Sequence, residues 1–212
     1  DQLKNFLKIK KNIKQDKRIK ILINKKRRGV GFSRNRGIKI SKGQFIAFID
    51  SDDLWKKNKL KVQLKFMLCS HALISHTSYS LINENSKVIG LMQAPKKLNY
   101  DNLLASCDIG LSTVMINSNI KSRIKFPNVK TKEDYILWLK LSKKNNILGI
   151  KKTLGSWRKL KTSLSSSIKQ RLKDAFTVYY VYEKFSLIKS IIYVLILSLN
   201  FFKKRLMQKL NT

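Results

Sequence analysis

The spacing of apolar residues changes several times along this 212-residue chain, and each change predicts an element. Leu3, Phe6, Leu7 and Ile13 recur at near-helical spacing, which predicts an amphipathic helix over 2–14. Ile19, Ile21 and Ile23 alternate with polar or charged neighbours, which predicts a strand over 17–23. A basic, glycine-containing loop over 24–31 leads into a helix over 32–41. Residues 45–49 form an almost continuous apolar run, the length of a buried strand, between Gly43 and an acidic turn. Leu60, Leu64, Met67 and Leu68 fall at i, i+4, i+7 and i+8, so 54–69 reads as a helix lying on the sheet. A short strand over 72–75, a hairpin over 76–90 turning at Asn83, Glu84, Asn85 and Ser86, a loop over 94–100, a short helix over 101–107 and a strand over 111–116 follow. An unusually apolar helix begins at the acidic pair Glu133 and Asp134.

The last stretch differs in character. Residues 185–202 hold a single charge, Lys189, and are followed by Lys203, Lys204 and Arg205. The run is at the short end for a membrane span. An interfacial helix with a basic flank and a helix packed on the core are equally open readings. The domain expectation is one α/β unit over 1–165 with a C-terminal helical, apolar and basic extension over 166–212.

Charge narrows the partners. Lys and Arg number 46 against 12 Asp and Glu, a net +34. Such a balance suits nucleic acid or an anionic membrane surface. The basic residues are spread along the whole chain, and no RNA-recognition, zinc-finger or helix-turn-helix signature is present, which argues against a specific nucleic-acid partner. Cys69 and Cys107 show no CxxC spacing and read as buried thiols of a reducing compartment, hence a cytoplasmic protein, with peripheral contact at the cytoplasmic face of a membrane in view. His71 and His76 have no metal-ligand spacing and read as structural.

Against that basic background, three of the 12 acids lie within one tetrapeptide, Asp50, Ser51, Asp52 and Asp53. Ligands of open α/β sheets bind beyond the carboxyl ends of strands, where these residues fall. Adjacent carboxylates repel, so they need a cation or donors to stay ionised together. Hard oxygen ligands suit Mg²⁺ or Mn²⁺, with water and substrate phosphates completing the shell. The loop over 24–31 is neither a Walker loop nor a Rossmann fingerprint, because no Gly-Lys-Ser/Thr and no third Gly follow. The start of the helix after it, with Arg34, favours an anion.

Taken in order, Gly29, Gly31, Arg34, Asn35, Gly37, Gly43, the apolar strand, Asp50-Ser51-Asp52-Asp53, Trp55, Lys59, Leu60 and Gln63 resemble the family 2 glycosyltransferases of the GT-A fold. Ser33 departs mildly from the family's usual Ala. Glu133 and Asp134, with Trp138 four residues beyond, resemble its second acidic motif, and Trp157-Arg158 with Thr162, Ser163 and Ser165 resembles an aromatic-Arg loop more weakly. The resemblance implies a Rossmann-like mixed sheet flanked by helices. It implies inverting transfer of a sugar from a nucleotide-sugar donor to a glycan or lipid-linked acceptor, in cell-surface polysaccharide or lipopolysaccharide synthesis. In residue terms it implies Asp134 as catalytic base; Arg34, Asp50, Asp52 and Arg158 on the donor; and a metal held chiefly by Asp52, with Asp53 or Asp50 helping. The family's opening strand, turn, helix and second strand are not found, so the chain also reads as lacking its N-terminal part. A basic nucleic-acid binder and an inactive remnant are the competing classes.

Overall fold

The computed structural model describes residues 16–160 and 167–210, so the helix expected over 2–14 and the hydroxyls of Thr162, Ser163 and Ser165 lie outside the described residues. In chain order the elements are α1 (Val30–Ile40), β1 (Phe45–Ala47), β2 (Leu54–Trp55), α2 (Lys59–Ser70), β3 (Ile74–Ile82), β4 (Val88–Met92), β5 (Lys97–Leu98), α3 (Tyr100–Ala105), β6 (Met115–Asn117), α4 (Glu133–Ser142), β7 (Ile147–Arg158), α5 (Ile168–Thr177) and α6 (Leu187–Leu210). Short 3₁₀ turns over Leu111–Thr113 and Ser118–Arg123 flank β6, and a π turn over Val178–Tyr182 joins α5 to α6.

The seven strands form one mixed sheet in the order β1-β6-β3-β7-β2, with β4 added to β3 and β5 to β7. β3 and β7 run parallel and make up the centre; every other pairing is antiparallel. Two of the chain's glycines are dictated by α1. Gly29 precedes it at φ 82°, a conformation costly for side chains. At Gly31 a Cβ would sit 2.6 Å from the Pro127 carbonyl oxygen. That close approach lets Asn35 fasten α1 to the neighbouring segment: its side-chain amide donates to the Phe126 carbonyl at 2.8 Å and its oxygen accepts the Phe126 N–H at 2.9 Å.

The core gathers around α4, whose Tyr135–Leu139 run is buried along with Leu141. A helix apolar on all sides can only be a central one. Trp138 meets Phe126 edge-on at 6.5 Å between ring centroids, and Phe126 meets Phe48 at 5.5 Å. Tyr193, Val194 and Leu197 of α6 pack on this same core. The opposite side of α6 is bare: Ile188 is 72% exposed, Leu195 57% and Leu199 68%. No helix among the described residues is long and apolar enough to cross a membrane.

Several expectations are corrected. Residues 17–23 form no strand; Ile19, Ile21, Leu22 and Ile23 are exposed, because no described strand lies beside them to complete a ladder. The helix expected over 54–69 starts only at Lys59, since Leu54 and Trp55 pair with β7. Its buried face is Lys59, Gln63 and Met67, leaving Leu60, Leu64 and Leu68 outside. The cause is Gln63, whose amide donates to Ser75 Oγ at 3.0 Å and to the Thr113 carbonyl at 2.9 Å. The strand expected over 111–116 is split by a 3₁₀ turn, and the short strand expected over 72–75 is the start of the nine-residue β3. Trp157 and Arg158 end β7 and are not loop residues. Cys69 is exposed and Cys107 only partly covered.

Candidate active site

The acidic turn follows directly from β1. The Asp50 N–H donates to Ser112 Oγ at 3.0 Å, the Trp55 indole N–H donates to the Ser112 carbonyl at 2.6 Å, and the Asp53 N–H closes the turn on the Asp50 carbonyl at 3.1 Å. Ser112 is thus the post to which the turn is tied. Its 3₁₀ context, masked by an apolar run that reads as plain strand, hid this role in the sequence.

The three aspartates have different surroundings. Asp53 is buried and accepts the Arg158 backbone N–H at 2.9 Å. Burial pushes its carboxyl above the usual range, Ser112 and Arg158 pull it back, and Asp50 and Asp52 push it up further. Asp50 is ion-paired to Arg34 at 2.7 Å. The Asp52 carboxylate, half-buried, has no protein partner among the described residues. No three His, Cys, Asp or Glu side chains converge as a metal cage among the described residues. A divalent cation here would find one free carboxylate and need phosphate and water oxygens for the rest. That is the usual Mg²⁺ pattern, so the residues fit the ion.

Asp134 stands in the first turn of α4. It is not the helix cap: Lys132 holds that place at φ 64°, without a capping side-chain bond. One Asp134 oxygen accepts the N–H of Tyr135 at 2.7 Å. Burial, with Glu133 beside it, pushes the Asp134 carboxyl up to about 6, against the pull of Lys132, the Tyr135 N–H and Arg34. A carboxylate poised near neutral pH in a site is suited to taking a proton.

Arg34 lies between the two acidic groups. One end of its guanidinium meets Asp50 and the other meets Glu133 at 2.5 Å. The structure therefore brings Asp50, Arg34, Glu133 and Asp134 together. Arg158 also holds the protein together: its Nε donates to the Asp52 carbonyl at 2.9 Å, and one Nη reaches the Asn83 and Glu84 carbonyls and Ser86 Oγ at 3.0–3.1 Å. It fastens the β3–β4 hairpin to the acidic turn. His76 is buried and pushed down to about 4 by burial, an uncharged structural side chain.

Lys59, below the turn, was not singled out for chemistry by its sequence context. It is 1% exposed, its ammonium lacks a hydrogen-bond partner among the described residues, and it sits 4.1 Å from the Trp55 ring centroid. Burial pushes it down to about 8. Below pH 8 both folded and unfolded lysine carry the charge, and folding bears its desolvation. Stability therefore rises as pH climbs from about 8 toward the ordinary value of 10.5. Lys59→Met is expected to raise stability at pH 7 by on the order of 1–2 kcal/mol, a gain that fades above pH 10. Denaturant unfolding at both pH values measures it; a destabilised variant would mean the ammonium has a partner.

Comparisons with known proteins fit this geometry. The Glycosyl transferase family 2 profile matches residues 2–120. The Escherichia coli UDP-Glc:alpha-D-GlcNAc-diphosphoundecaprenol beta-1,3-glucosyltransferase WfgD is 39% identical over 165 residues, 77% of this chain and 64% of WfgD. Bacillus subtilis TuaG, a teichuronic acid biosynthesis glycosyltransferase by name, is 34% identical over 195 residues, 91% of this chain and 77% of TuaG. The chain thus spans about two thirds to three quarters of these relatives. The crystal structure of S. aureus TarS 1-349 with UDP-GlcNAc superposes with a TM-score of 0.64 at 22% identity, covering 84% of this chain and 52% of that one. This likeness establishes the α/β GT-A fold, a mixed sheet flanked by helices. With a profile over more than half its length and a relative of which it spans 77%, the chain belongs to glycosyl transferase family 2.

Proposed function

We propose that the protein transfers a sugar from a uridine-diphosphate donor to a hydroxyl of a lipid-linked glycan, with inversion, in the building of a cell-surface polysaccharide. The observation that carries this is the apposition of two acidic sites through Arg34: the turn with the free Asp52 carboxylate, and Asp134 with its raised pKa. Support for the donor and acceptor classes comes from names: WfgD for UDP-Glc and a diphosphoundecaprenol acceptor, TarS for UDP-GlcNAc.

Asp134 accepts the acceptor hydroxyl's proton while that oxygen bonds to the anomeric carbon. The bond from that carbon to the diphosphate breaks on the opposite face, and the nucleoside diphosphate leaves with the electron pair. Mg²⁺ or Mn²⁺ held at Asp52 would supply neutralisation of that diphosphate. Asp53 and Arg158, tied to each other and to the hairpin, fix the turn that presents Asp52. The direct test offers radiolabelled UDP-glucose and UDP-GlcNAc to the protein with a synthetic GlcNAc-diphospho-polyprenol. Transfer of one of them, with inverted configuration by NMR of the product, is expected; transfer of neither removes this donor and acceptor pair.

The bare stripe of α6 gives the same protein a way to reach such an acceptor. Helical spacing sets Ile188, Leu195 and Leu199 on the face turned from the core, on a chain of net charge +34. Peripheral docking on anionic lipid follows, weakened by salt as the Debye length falls to about 3 Å at 1 M. Replacing all three residues with Ser is expected to lower vesicle flotation several-fold without unfolding the chain. Unchanged flotation would deny the stripe a membrane role.

A further inference from the structure

We propose that Arg34 is a positioning residue that locks the Asp134-bearing start of α4 to the acidic turn by neutralising Glu133. The proposal rests on the reading of Asp134 as the base. It goes beyond that reading in giving Arg34 a role exercised through protein carboxylates.

The geometry is specific. The Arg34 side chain is 14% exposed and Glu133 11%, and the two meet across 99 residues of sequence. The other guanidinium arm is on Asp50. A planar fork can hold two carboxylates in two directions, which a lysine ammonium at the end of a flexible stem cannot do as well. The fork itself is held: its carbon lies 5.4 Å from the Phe126 ring centroid, and Phe126 is pinned by Asn35, the next residue of α1. Arg34 thus carries the position of α1 into the first turn of α4.

Glu133 makes the need plain. It is a buried carboxylate whose hydrogen-bond partner is Arg34. Without that partner a buried charge would stand uncompensated beside Asp134. The charged and titratable groups around Asp134 are Lys132 and Glu133 on its own turn, Arg34 from α1, Cys107 from the segment after α3 and Tyr79 from β3. Arg34 and Lys132 are the cations of that set. Removing Arg34 leaves Glu133 pressing on Asp134; removing the Glu133 charge relieves it.

The test is a carboxyl-carbon NMR titration of the full chain, with the Asp134 signal identified by its loss in Asp134→Asn. Arg34→Met is expected to raise the Asp134 midpoint, Glu133→Gln to lower it, and the double variant to return it toward wild type. In the transfer assay Arg34→Met should lower kcat about tenfold or more, and Glu133→Gln in that background should restore part of it, whereas Arg34→Lys should not. An unmoved midpoint in both single variants overturns the proposal, and the isosteric Glu133→Gln keeps it testable if Arg34→Met does not fold. A purely KM effect of Arg34→Met without rescue also overturns it, and would make Arg34 a donor contact only. If Asp134→Asn transfers at the wild-type rate, the base assignment falls and this inference with it. If Asp134→Asn is inactive while the midpoint stays put in the Arg34 and Glu133 variants, the Arg34 inference alone falls.

Discussion

Asp134→Asn is expected to lower turnover by about 10²- to 10⁴-fold, the usual contribution of a general base, while leaving donor and metal affinity close to wild type. Asn keeps the size of the side chain and can still accept the Tyr135 N–H, so the α4 turn stays formed. What is lost is the basic carboxylate to which the proposed transfer gives the proton. In the wild-type protein the acid limb of kcat/KM should bend near pH 6, where Asp134 gives up its proton. The stability sign runs the other way. The folded-state pKa of this acid is raised from 3.8, so the folded protein binds the proton more tightly than the unfolded chain between about pH 4 and 6, and stability falls as pH rises through that window. Removing the charge should therefore leave the variant at least as stable as wild type at pH 7. Loss of turnover without loss of stability is a combination that a merely structural acid would not give. Turnover near normal would take Asp134 out of the chemistry.

The sequence showed this site in part, for reasons that differ by residue. Asp50 to Asp53 and Glu133-Asp134 were legible because acids are scarce in the chain and each group abuts an apolar segment whose period is readable. Gly29 was legible as a loop residue, but Gly31, expected in the same loop, lies in the first turn of α1, and the reason for it, the Pro127 carbonyl against it, belongs to tertiary structure. The Arg34–Glu133 pair spans 99 residues, and no local pattern carries such a contact. Arg158 was expected on a diphosphate through the resemblance of Trp157-Arg158 to an aromatic-Arg loop; that its backbone ends a strand and that its Nε and one Nη hold the acidic turn to the hairpin are tertiary facts no local pattern carries. The face of α2 was misjudged because period alone ranks Leu60, Leu64 and Leu68 above Lys59 and Gln63. Hydrogen bonds from Gln63 to Ser75 and Thr113 decided the rotation instead. Residues 17–23 had the alternation of a strand, but alternation supplies one face and not the neighbour a strand must pair with.

The second large effect separates two adjacent aspartates that the sequence alone paired as metal ligands. Asp52→Asn is expected to weaken Mn²⁺-dependent binding of UDP by on the order of 10²-fold, because a neutral amide is a far poorer ligand for a hard cation. Its effect on folding should be small, since the Asp52 side chain has no protein partner among the described residues and its carbonyl, not its carboxylate, holds Arg158. Asp53→Asn should behave differently. Its oxygen can still accept the Arg158 N–H, and removal of a buried charge that burial disfavours should leave stability equal or higher at pH 7. The metal-dependent part of UDP binding should then survive in Asp53→Asn, reduced only as far as the turn is loosened. Calorimetry of UDP binding with Mn²⁺ and with chelator, on wild type and both variants, measures the difference. Equal binding with and without chelator in wild type would remove the metal from this site. A loss in Asp53→Asn as deep as in Asp52→Asn would show instead that the buried carboxylate also reaches the ion.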